Sequence, residues 1–330
     1  MENLLVMVPQ TTDATSFYRA IGPLAELRRV KKDLALTFVQ EINWATLDLN
    51  DAIFMQRPYS DSQLKICDLA HQNKVPIWLD YDDDLFSVPE WNPCYATYSK
   101  ESIQKNIATM CAMASVISVS TPALKAKLDP LNVDVRVVPN AFNERLFGHR
   151  PEYPDPEERT LIFWRGSKTH RRDLTIIAEA CISLSQCHPE MTWFFLGDAP
   201  WFADYMTHSS VRCAEPIDPI EYIELLRKIR PTIMLVPLDD CEFNRSKSNI
   251  AWIEGSFAGA TTIAPAWSEW LRPGVLNYAR GAFERQLSDA INNRPNLWQS
   301  NTESWQYISE CLSLTYVNGL RAKILEDLGL

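Results

Sequence analysis

The stretch that decides the fold runs from Pro237 to Pro265 and reads PLDDCEFNRSKSNIAWIEGSFAGATTIAP. A short apolar run, TIMLVP at Thr232–Pro237, leads into it, and TTIAP at Thr261–Pro265 closes it. Both runs are rich in β-formers and end in proline, and a helix-length segment separates them. The pattern predicts one β-loop-α-β unit.

The start of this helix carries groups that suit a phosphate ester. We expect it to begin at Ser246, Lys247 and Ser248, where a serine can cap the free amides beside the lysine. At about 100° per residue, Lys247 and Glu254 lie on nearly one azimuth. A cation with open amides suits a phosphate, and a carboxylate roughly 10 Å farther suits the hydroxyls of a ribose or sugar. Together they indicate a sugar nucleotide; the alternative is an amphipathic surface helix with an incidental lysine and glutamate.

The same segment resembles the donor-binding segment of retaining GT-B glycosyltransferases, in particular the family 4-like group. The resemblance is carried by FNRSKS at 243–248, then Glu254, then Gly259 before a β-run that ends in proline. It covers most of the chain, strongly in the second half and more loosely in the first. It implies an α/β fold of two Rossmann-like domains whose parallel sheets face a central cleft, with a C-terminal helix crossing back.

The resemblance also implies roles for individual residues. In that group a glutamate at the place of Glu254 grips the ribose of the nucleotide, and a lysine and an arginine neutralise the diphosphate. Lys247 matches the lysine, and Asn244 and Ser248 are expected to support donor binding. Ser246 stands eight positions before Glu254, where many members have another glutamate, so contact with the transferred sugar at that position is left open.

Length and composition limit the classes of protein that fit. With 330 residues, 46% of them hydrophobic, two medium-sized cores are expected. No stretch approaches about eighteen uninterrupted apolar residues, and the first ten residues have the pattern of a strand. We therefore expect a cytoplasmic protein without a stable membrane anchor, located in the host cytoplasm if a phage encodes it.

The spacing of the cysteines and histidines and the net charge argue against further classes of protein. The eight cysteines form no CxxC pair, and the five histidines form no HxH or HExxH set, so neither a disulfide framework nor a metal site is indicated. The formal net charge is −10, and neither half of the chain is basic. That balance argues against a general nucleic-acid binder.

The first half alternates apolar runs with helix-length segments, which predicts a parallel sheet covered by helices. Its first strand leads into a hydroxyl-rich turn that lacks the GxGxxG fingerprint. Thr15, Ser16 and Arg19 of this turn are candidate contacts for the acceptor or the sugar. The alternative is an ordinary capped helix with Arg19 on its surface.

Four aspartates crowd five positions at the end of the fourth strand, in IWLDYDDDLFSVP. Carboxylates this close repel one another unless they bind a cation, meet donors or stay hydrated. Two three-residue stretches there, Asp80–Asp82 and Asp82–Asp84, match the DxD motif with which a GT-A glycosyltransferase holds a metal. We favour the GT-B interpretation, because the nucleotide-type segment lies far downstream. In it Asp82 and Asp83 are catalytic, and Asp84 contacts the acceptor; a structural alternative has the carboxylates capping the next turn and helix.

A proline-rich, charged segment follows Val138 and predicts a linker, so we place the domain boundary near residue 150. The chain then divides into three parts. Residues 1–150 form a Rossmann-like acceptor domain, 151–300 form a Rossmann-like nucleotide-sugar-binding domain, and 301–330 form the crossing helix.

The second domain restarts with TLIFWRGSKTHRRDL, a strand that runs into a basic loop. In the family this loop lies beside the diphosphate, so Arg165 is the candidate for the arginine, with Gly166 allowing close approach. Ser167, His170 and Gly197 complete the predicted donor site. The alternative is a basic loop neutralised by an acidic surface.

The sequence therefore predicts a GT-B glycosyltransferase that moves a sugar from a UDP- or GDP-sugar to a hydroxyl acceptor, with retention. Arg165 and Lys247 are expected to be catalytic by stabilising the departing diphosphate, with no cofactor or metal required. The acceptor is a saccharide or, as in phage enzymes that the chain resembles, a hydroxylated base of DNA. Two alternatives stay open: a non-catalytic sugar-nucleotide or glycan-binding module, and a metal-dependent GT-A transferase that uses Asp80–Asp84. The oligomeric state is left open.

Overall fold

The computed structural model describes residues 2–153, 155 and 159–330, and it contains two six-stranded sheets. The first is parallel, with strand order β2-β1-β3-β4-β5-β6. Its strands are β1 (Glu2–Met7), β2 (Leu34–Val39), β3 (Ala52–Gln56), β4 (Ile77–Tyr81), β5 (Val116–Val119) and β6 (Val135–Val137). The central strands β3, β4 and β5 are buried along their whole length, as continuous apolar runs require.

The second sheet is also parallel, with strand order β12-β11-β10-β7-β8-β9. Its strands are β7 (Leu161–Gly166), β8 (Thr192–Gly197), β9 (Val211–Ala214), β10 (Ile233–Leu235), β11 (Thr261–Pro265) and β12 (Leu276–Tyr278). In each sheet the first strand lies inside the sheet, and the chain winds outward from it in both directions. This doubly wound arrangement confirms the predicted pair of Rossmann-like sheets.

Helices cover both faces of each sheet. Those of the first half are α1 (Ala14–Ser16), α2 (Gly22–Val30), α3 (Trp44–Leu47), α4 (Asp61–Gln72), α5 (Tyr95–Tyr98), α6 (Glu101–Met113), α7 (Pro122–Leu128) and α8 (Glu144–Phe147). Those of the second half are α9 (Arg171–Thr175), α10 (Ala178–Cys187), α11 (Pro219–Ile229), α12 (Glu242–Arg245), α13 (Ile250–Phe257), α14 (Phe283–Asn292), α15 (Leu297–Cys311) and α16 (Leu314–Asp327). A π-helical turn, Phe17–Ile21, joins α1 to α2. Within the described ranges, no helix combines the length and the apolar character needed to cross a bilayer.

Local sequence fixes several helix starts. Ser60 and Gln63 form a reciprocal capping box at α4, and Asp218 accepts from two backbone amides at the start of α11. Behind the helices, each sheet has a separate apolar cluster on each of its faces. The two sheets therefore have independent cores, which leaves their carboxyl edges free to form a cleft.

The C-terminal crossing is made by two helices rather than by a single one. Helix α15 packs Ile308 against the second sheet, and α16 packs Val317 and Ile324 against the first. The chain breaks between them because Ser313 adopts an extended conformation and caps α16, accepting from the amide of Tyr316. The predicted crossing back to the first domain is confirmed, with this break as a correction.

Candidate active site

A cavity of about 190 Å³ lies where the carboxyl ends of the strands of the two sheets face each other. Residues that follow β1, β3 and β4 line one side, and residues that follow β7 and β10 line the other. Its charged or titrating side chains include Arg57, Asp82, Asp83, Arg165, His170 and Lys247. A second cavity of about 280 Å³ shares Thr15, Arg57, Asp83, His170 and Lys247 with it. This edge is where open α/β sheets bind ligands.

The four aspartates at the end of β4 pair with three cations of the chain. Their ion pairs are Asp80–Arg19, Asp82–Arg57, Asp83–Arg57 and Asp84–Lys127. Within the part of the chain that the structure describes, no group of three or more acidic, histidine or cysteine side chains is arranged to hold a metal ion. A hard cation needs several oxygens at one point, whereas these carboxylates are paired with Arg19, Arg57 and Lys127.

Arg57 holds two of these carboxylates at the cavity wall. It follows β3 with a positive φ of 48°, which is uncommon for a residue with a side chain. Its guanidinium donates to both Asp82 and Asp83. Burial raises the pKa of Asp82 against the pull of Arg57, whereas at Asp83 the charges of Lys247 and Arg57 outweigh burial and lower the pKa. Neighbouring carboxylates whose proton affinities diverge can take different roles in one reaction.

Lys247 reaches across the cleft from the second domain. Its Nζ lies 3.6 Å from Oδ1 of Asp83 and 4.5 Å from the centre of the Phe243 ring. The expected helix start at Ser246 is wrong, because residues 246–249 form a turn between α12 and α13. Lys247 and Glu254 therefore do not share a helix face, and the turn is what carries the lysine to the cavity.

Two hydrogen bonds tie this turn to the first domain. Asn140 Nδ2 donates to Oγ of Ser248 at 2.8 Å, and Oγ1 of Thr121 donates to the carbonyl of Ser246 at 3.0 Å. Ser248 lines the cavity as expected for a donor contact, whereas Ser246 is buried. The first domain thus fixes the backbone that presents Lys247.

Arg165, at the end of β7, is held by Glu254 of α13. Its Nε and Nη2 both donate to Oε2 of Glu254, at 2.9 and 2.7 Å, and the hydroxyl of Tyr222 donates to the same oxygen at 3.1 Å. The hydroxyl of Tyr18, from the first domain, donates to Oε1 at 2.8 Å. Glu254 is 1% exposed, whereas Arg165 is 27% exposed and lines the cavity. The expectation that Glu254 stands open to a ribose is wrong for this conformation, because four donors enclose it.

His170 lines both cavities and is held by a buried carboxylate. Its Nδ1 lies 2.8 Å from Oδ2 of Asp173. The other oxygen of Asp173 accepts from the amide of Asp239 and from Nδ2 of Asn244, each at 2.8 Å. Asn244 is fully buried, so its expected contact with the donor is wrong here. Its side-chain amide instead donates to Asp173 and holds that carboxylate in place.

Two glycines let the ends of β7 and β8 lie close together. Gly197 has a φ of 105°, and a Cβ there would lie 2.0 Å from the carbonyl oxygen of Gly166. A Cβ on Gly166 would lie 2.5 Å from the ring of Trp164. Gly166 and Gly197 thus shape the loop below the cavity, while Ser167 lines the second cavity.

Of the four candidate acceptor contacts, Thr15 alone lines the cavities. Ser16 and Asp84 are buried, and so is Arg19. Arg19 donates to both oxygens of Asp80, at 3.0 and 2.7 Å. The expectation is wrong for these three residues, because their side chains are buried, with Arg19 paired to Asp80 and Asp84 paired to Lys127.

Four residues that build the site were missed by the sequence analysis: Tyr18, Arg57, Asn140 and Asp173. Each supports a partner on another loop or element. Asp173 had a usable signal, since a histidine and an aspartate three apart in a helical turn can pair. Tyr18 and Arg57 had none, because their partners lie far away in the sequence.

Comparison with known proteins gives a fold and no sequence family. No family model matches the chain, and no curated protein matches its sequence. Sucrose-phosphate synthase from Thermosynechococcus elongatus matches with a TM-score of 0.71 at 10% identity over 99% of both chains. The catalytic domain of starch synthase IV from Arabidopsis thaliana, bound to ADP and acarbose, matches with a TM-score of 0.69 at 7% identity over 100% of both. UDP-GlcNAc 2-epimerase from Neisseria meningitidis, bound to UDP-GlcNAc, matches with a TM-score of 0.58 at 11% identity over 98% of this chain and 99% of that one.

Identities this low establish a shared fold and nothing finer. The two doubly wound sheets, the cleft between their carboxyl edges and the two helices that cross back agree with these matches. The chain has the α/β GT-B fold.

Proposed function

We propose that the chain is a glycosyltransferase that moves a sugar from a nucleoside diphosphate sugar to a hydroxyl group. The observation that carries the proposal is the charge arrangement in the cavity, where Arg165 and Lys247 of one domain face Asp82 and Asp83 of the other. Two cations suit a diphosphate, and two carboxylates opposite them suit an acceptor hydroxyl. The ADP and UDP-GlcNAc bound to proteins of the same fold support this assignment.

On the donor side, Arg165 and Lys247 hold the diphosphate. The Nζ of Lys247 lies 3.6 Å from Asp83, beyond ordinary hydrogen-bond length, and a phosphate oxygen can replace this carboxylate as its partner. Arg165 donates through Nε and Nη2 to Glu254, and Nη1, which has no hydrogen bond within the described residues, can donate to the ligand. Negative charge grows on the diphosphate as the bond to the sugar breaks, and both cations stabilise it.

Glu254 has two separable roles in this proposal. Its Oε2 positions Arg165, while its Oε1 is bound by the hydroxyl of Tyr18, a residue that lines the cavity. A ribose hydroxyl that replaces the Tyr18 hydroxyl would reach Oε1. Ribose binding therefore requires Tyr18 to withdraw, which a small opening between the domains supplies.

On the acceptor side, Asp82 and Asp83 orient the attacking hydroxyl. We assign no protein nucleophile. The acceptor oxygen bonds to the anomeric carbon as the diphosphate leaves, and a diphosphate oxygen takes the acceptor proton on the same face of the sugar. The product then keeps the anomeric configuration of the donor. The coupling constant of its anomeric proton in NMR tests this, and an inverted product would refute the retaining assignment.

The acceptor is a saccharide or a hydroxylated base of DNA, as in phage enzymes. The formal charge of −10 favours the saccharide, since DNA binding relies on cations that neutralise phosphates. If DNA is the acceptor, its binding must weaken steeply as salt is added. Transfer assays with oligosaccharides and with DNA that contains hydroxymethylated pyrimidines, at low and moderate salt, separate the two.

A thermal-shift screen over UDP-, GDP-, ADP- and CMP-sugars tests the donor class, because a ligand that binds the folded state raises the melting temperature. Nucleotide release is then measured with and without acceptors, and the sugar product is identified. Stabilisation without any release would indicate a binding module, and an epimerised sugar would indicate the chemistry of the epimerase that shares the fold. If no sugar nucleotide stabilises the protein, the proposal fails.

A further inference from the structure

His170 is a group of the cavity wall to which the proposed function gives no task. Its Nδ1 lies 2.8 Å from Oδ2 of Asp173. Asp173 is fully buried, its Oδ1 accepts from two N–H groups, and we assign Oδ2 as the acceptor of the hydrogen on Nδ1. The lone pair of the neutral ring is then on Nε2, which has no hydrogen bond to any residue that the structure describes.

We propose that His170 is a proton-linked contact for the diphosphate of the donor, and that Asp173 is the residue that positions it. The ring is neutral before the diphosphate binds. When the diphosphate binds, Nε2 takes up one proton from solvent and donates it in a hydrogen bond to a phosphate oxygen. The proton returns to solvent when the nucleoside diphosphate leaves, so the cycle balances and no covalent bond to His170 forms. The inference rests on the proposed function, since it requires a sugar nucleotide in the cavity.

The charges around the ring explain why the proton arrives with the ligand. The charged groups that face it, from both domains, are Lys247, Arg165, Arg57, Asp173 and Asp83. Burial and then the charge of Lys247 lower the pKa of His170, against the pull of Asp173, which keeps the ring neutral near pH 7. A bound diphosphate brings negative charge to the same cations and removes their repulsion of a second positive charge.

Asp173 is built to hold its oxygen in place. The amide of Asp239 and the side chain of Asn244 both donate to Oδ1, so Oδ2 is directed at the imidazole. These donors come from the loop that leads to Lys247. The segments after β7 and β10 are therefore both hydrogen-bonded to the buried carboxylate of Asp173. This shared partner fixes the position of Nε2 of His170 relative to Lys247.

A purely structural role for His170 predicts a different behaviour. The ring packs beside Gly166, where an added Cβ would lie 3.3 Å from Cδ2, so it could simply brace the turn after β7. Loss of a brace would weaken ligand binding equally at every pH. Proton uptake on binding separates the two roles.

Isothermal titration measures the uptake. The probes are UDP-glucose, ADP-glucose and GDP-mannose, which have no group of their own that titrates near neutral pH. Each is titrated at about pH 7.5 in HEPES and in Tris, because the difference in observed heat gives the number of protons bound. For the probe that binds, wild type is expected to take up close to one proton, and its affinity falls by up to about tenfold per pH unit above neutrality.

Variants assign the proton to the residue. His170→Gln is expected to abolish the uptake and to weaken binding by about tenfold, since a charge-assisted hydrogen bond is lost. His188→Gln is the matched control, because His188 is 24% exposed against 23% for His170 and has a carboxylate partner, Glu190, outside the cavity. Asp173→Asn keeps an acceptor for the two donors but removes the charge, so uptake is expected to fall.

Each outcome decides the inference. Binding of a probe by wild type with the same heat in both buffers would overturn it, and so would uptake that persists in His170→Gln. If Asp173→Asn does not fold, the comparison of His170→Gln with His188→Gln still decides. If none of the three sugar nucleotides binds wild type, the proposed function fails and this inference fails with it.

Discussion

Replacing Glu254 by glutamine removes the charge that holds Arg165 while nearly preserving side-chain volume. The carboxylate is 1% exposed and accepts hydrogen bonds from Arg165 at 2.9 and 2.7 Å, from Tyr18 at 2.8 Å and from Tyr222 at 3.1 Å. Breaking a buried pair costs about 3–5 kcal/mol. Because Arg165 is 27% exposed to water, we take the lower end, about 3 kcal/mol. At roughly 2–4 °C per kcal/mol, Tm falls by roughly 6–12 °C.

The assay is thermal and urea unfolding of wild type, Glu254→Gln, Arg165→Met and the double variant. Because the two substitutions remove the two ends of one pair, the double variant is expected to be more stable than the sum of the single effects, by roughly 1–3 kcal/mol. Tyr222→Phe is the control, since it removes a neutral donor from the same oxygen and costs about 1 kcal/mol. A Glu254→Gln protein that melts within about 2 °C of wild type would show that the carboxylate serves the ligand alone.

Three further predictions concern the cavity and the first domain. Lys247→Met is expected to weaken sugar-nucleotide binding about 10–100-fold in isothermal titration, and exposed Arg245→Met, two residues away, should leave binding unchanged. Asp80→Asn leaves the buried Arg19 without its charge partner and is expected to cost about 3–5 kcal/mol in urea unfolding; an unchanged midpoint would contradict the buried pair. The lowered pKa of Asp83 contributes stability above about pH 4 that is lost as the pH falls through the folded-state pKa, so Asp83→Asn should lose less stability than wild type between about pH 4 and pH 2.

The fold was predictable because hydrophobic runs report burial directly. The apolar runs at 34–39, 52–56 and 261–265 coincide with β2, β3 and β11. Parallel sheets buried on both faces give continuous apolar segments, and the charged loops between them mark the strand ends. The sequence also placed Arg165 and Lys247 at such ends, and both line the cavity.

The start of the helix after Lys247 was not predictable from local sequence. Serines followed by an apolar stripe suggest a helix from residue 246, yet α13 begins at Ile250. The backbone of this turn finds its partners in the first domain, where Thr121 binds the carbonyl of Ser246 and Asn140 binds Ser248. Helix propensity is a weak preference, and contacts more than a hundred residues away override it.

The wrong expectations about individual side chains have one physical cause. Local sequence shows that a charge exists but not what covers it, and Glu254 is covered by Tyr18, 236 positions away. The same fact constrains the mechanism. Lys247 faces Asp83 and Tyr18 donates to Glu254, so side chains of the first domain hold the groups that we assign to the donor. Under the proposed function, a donor must replace both contacts before it gains its own, and parting of the domains would release both. Donor affinity and the closure of the cleft are therefore coupled through these two pairs.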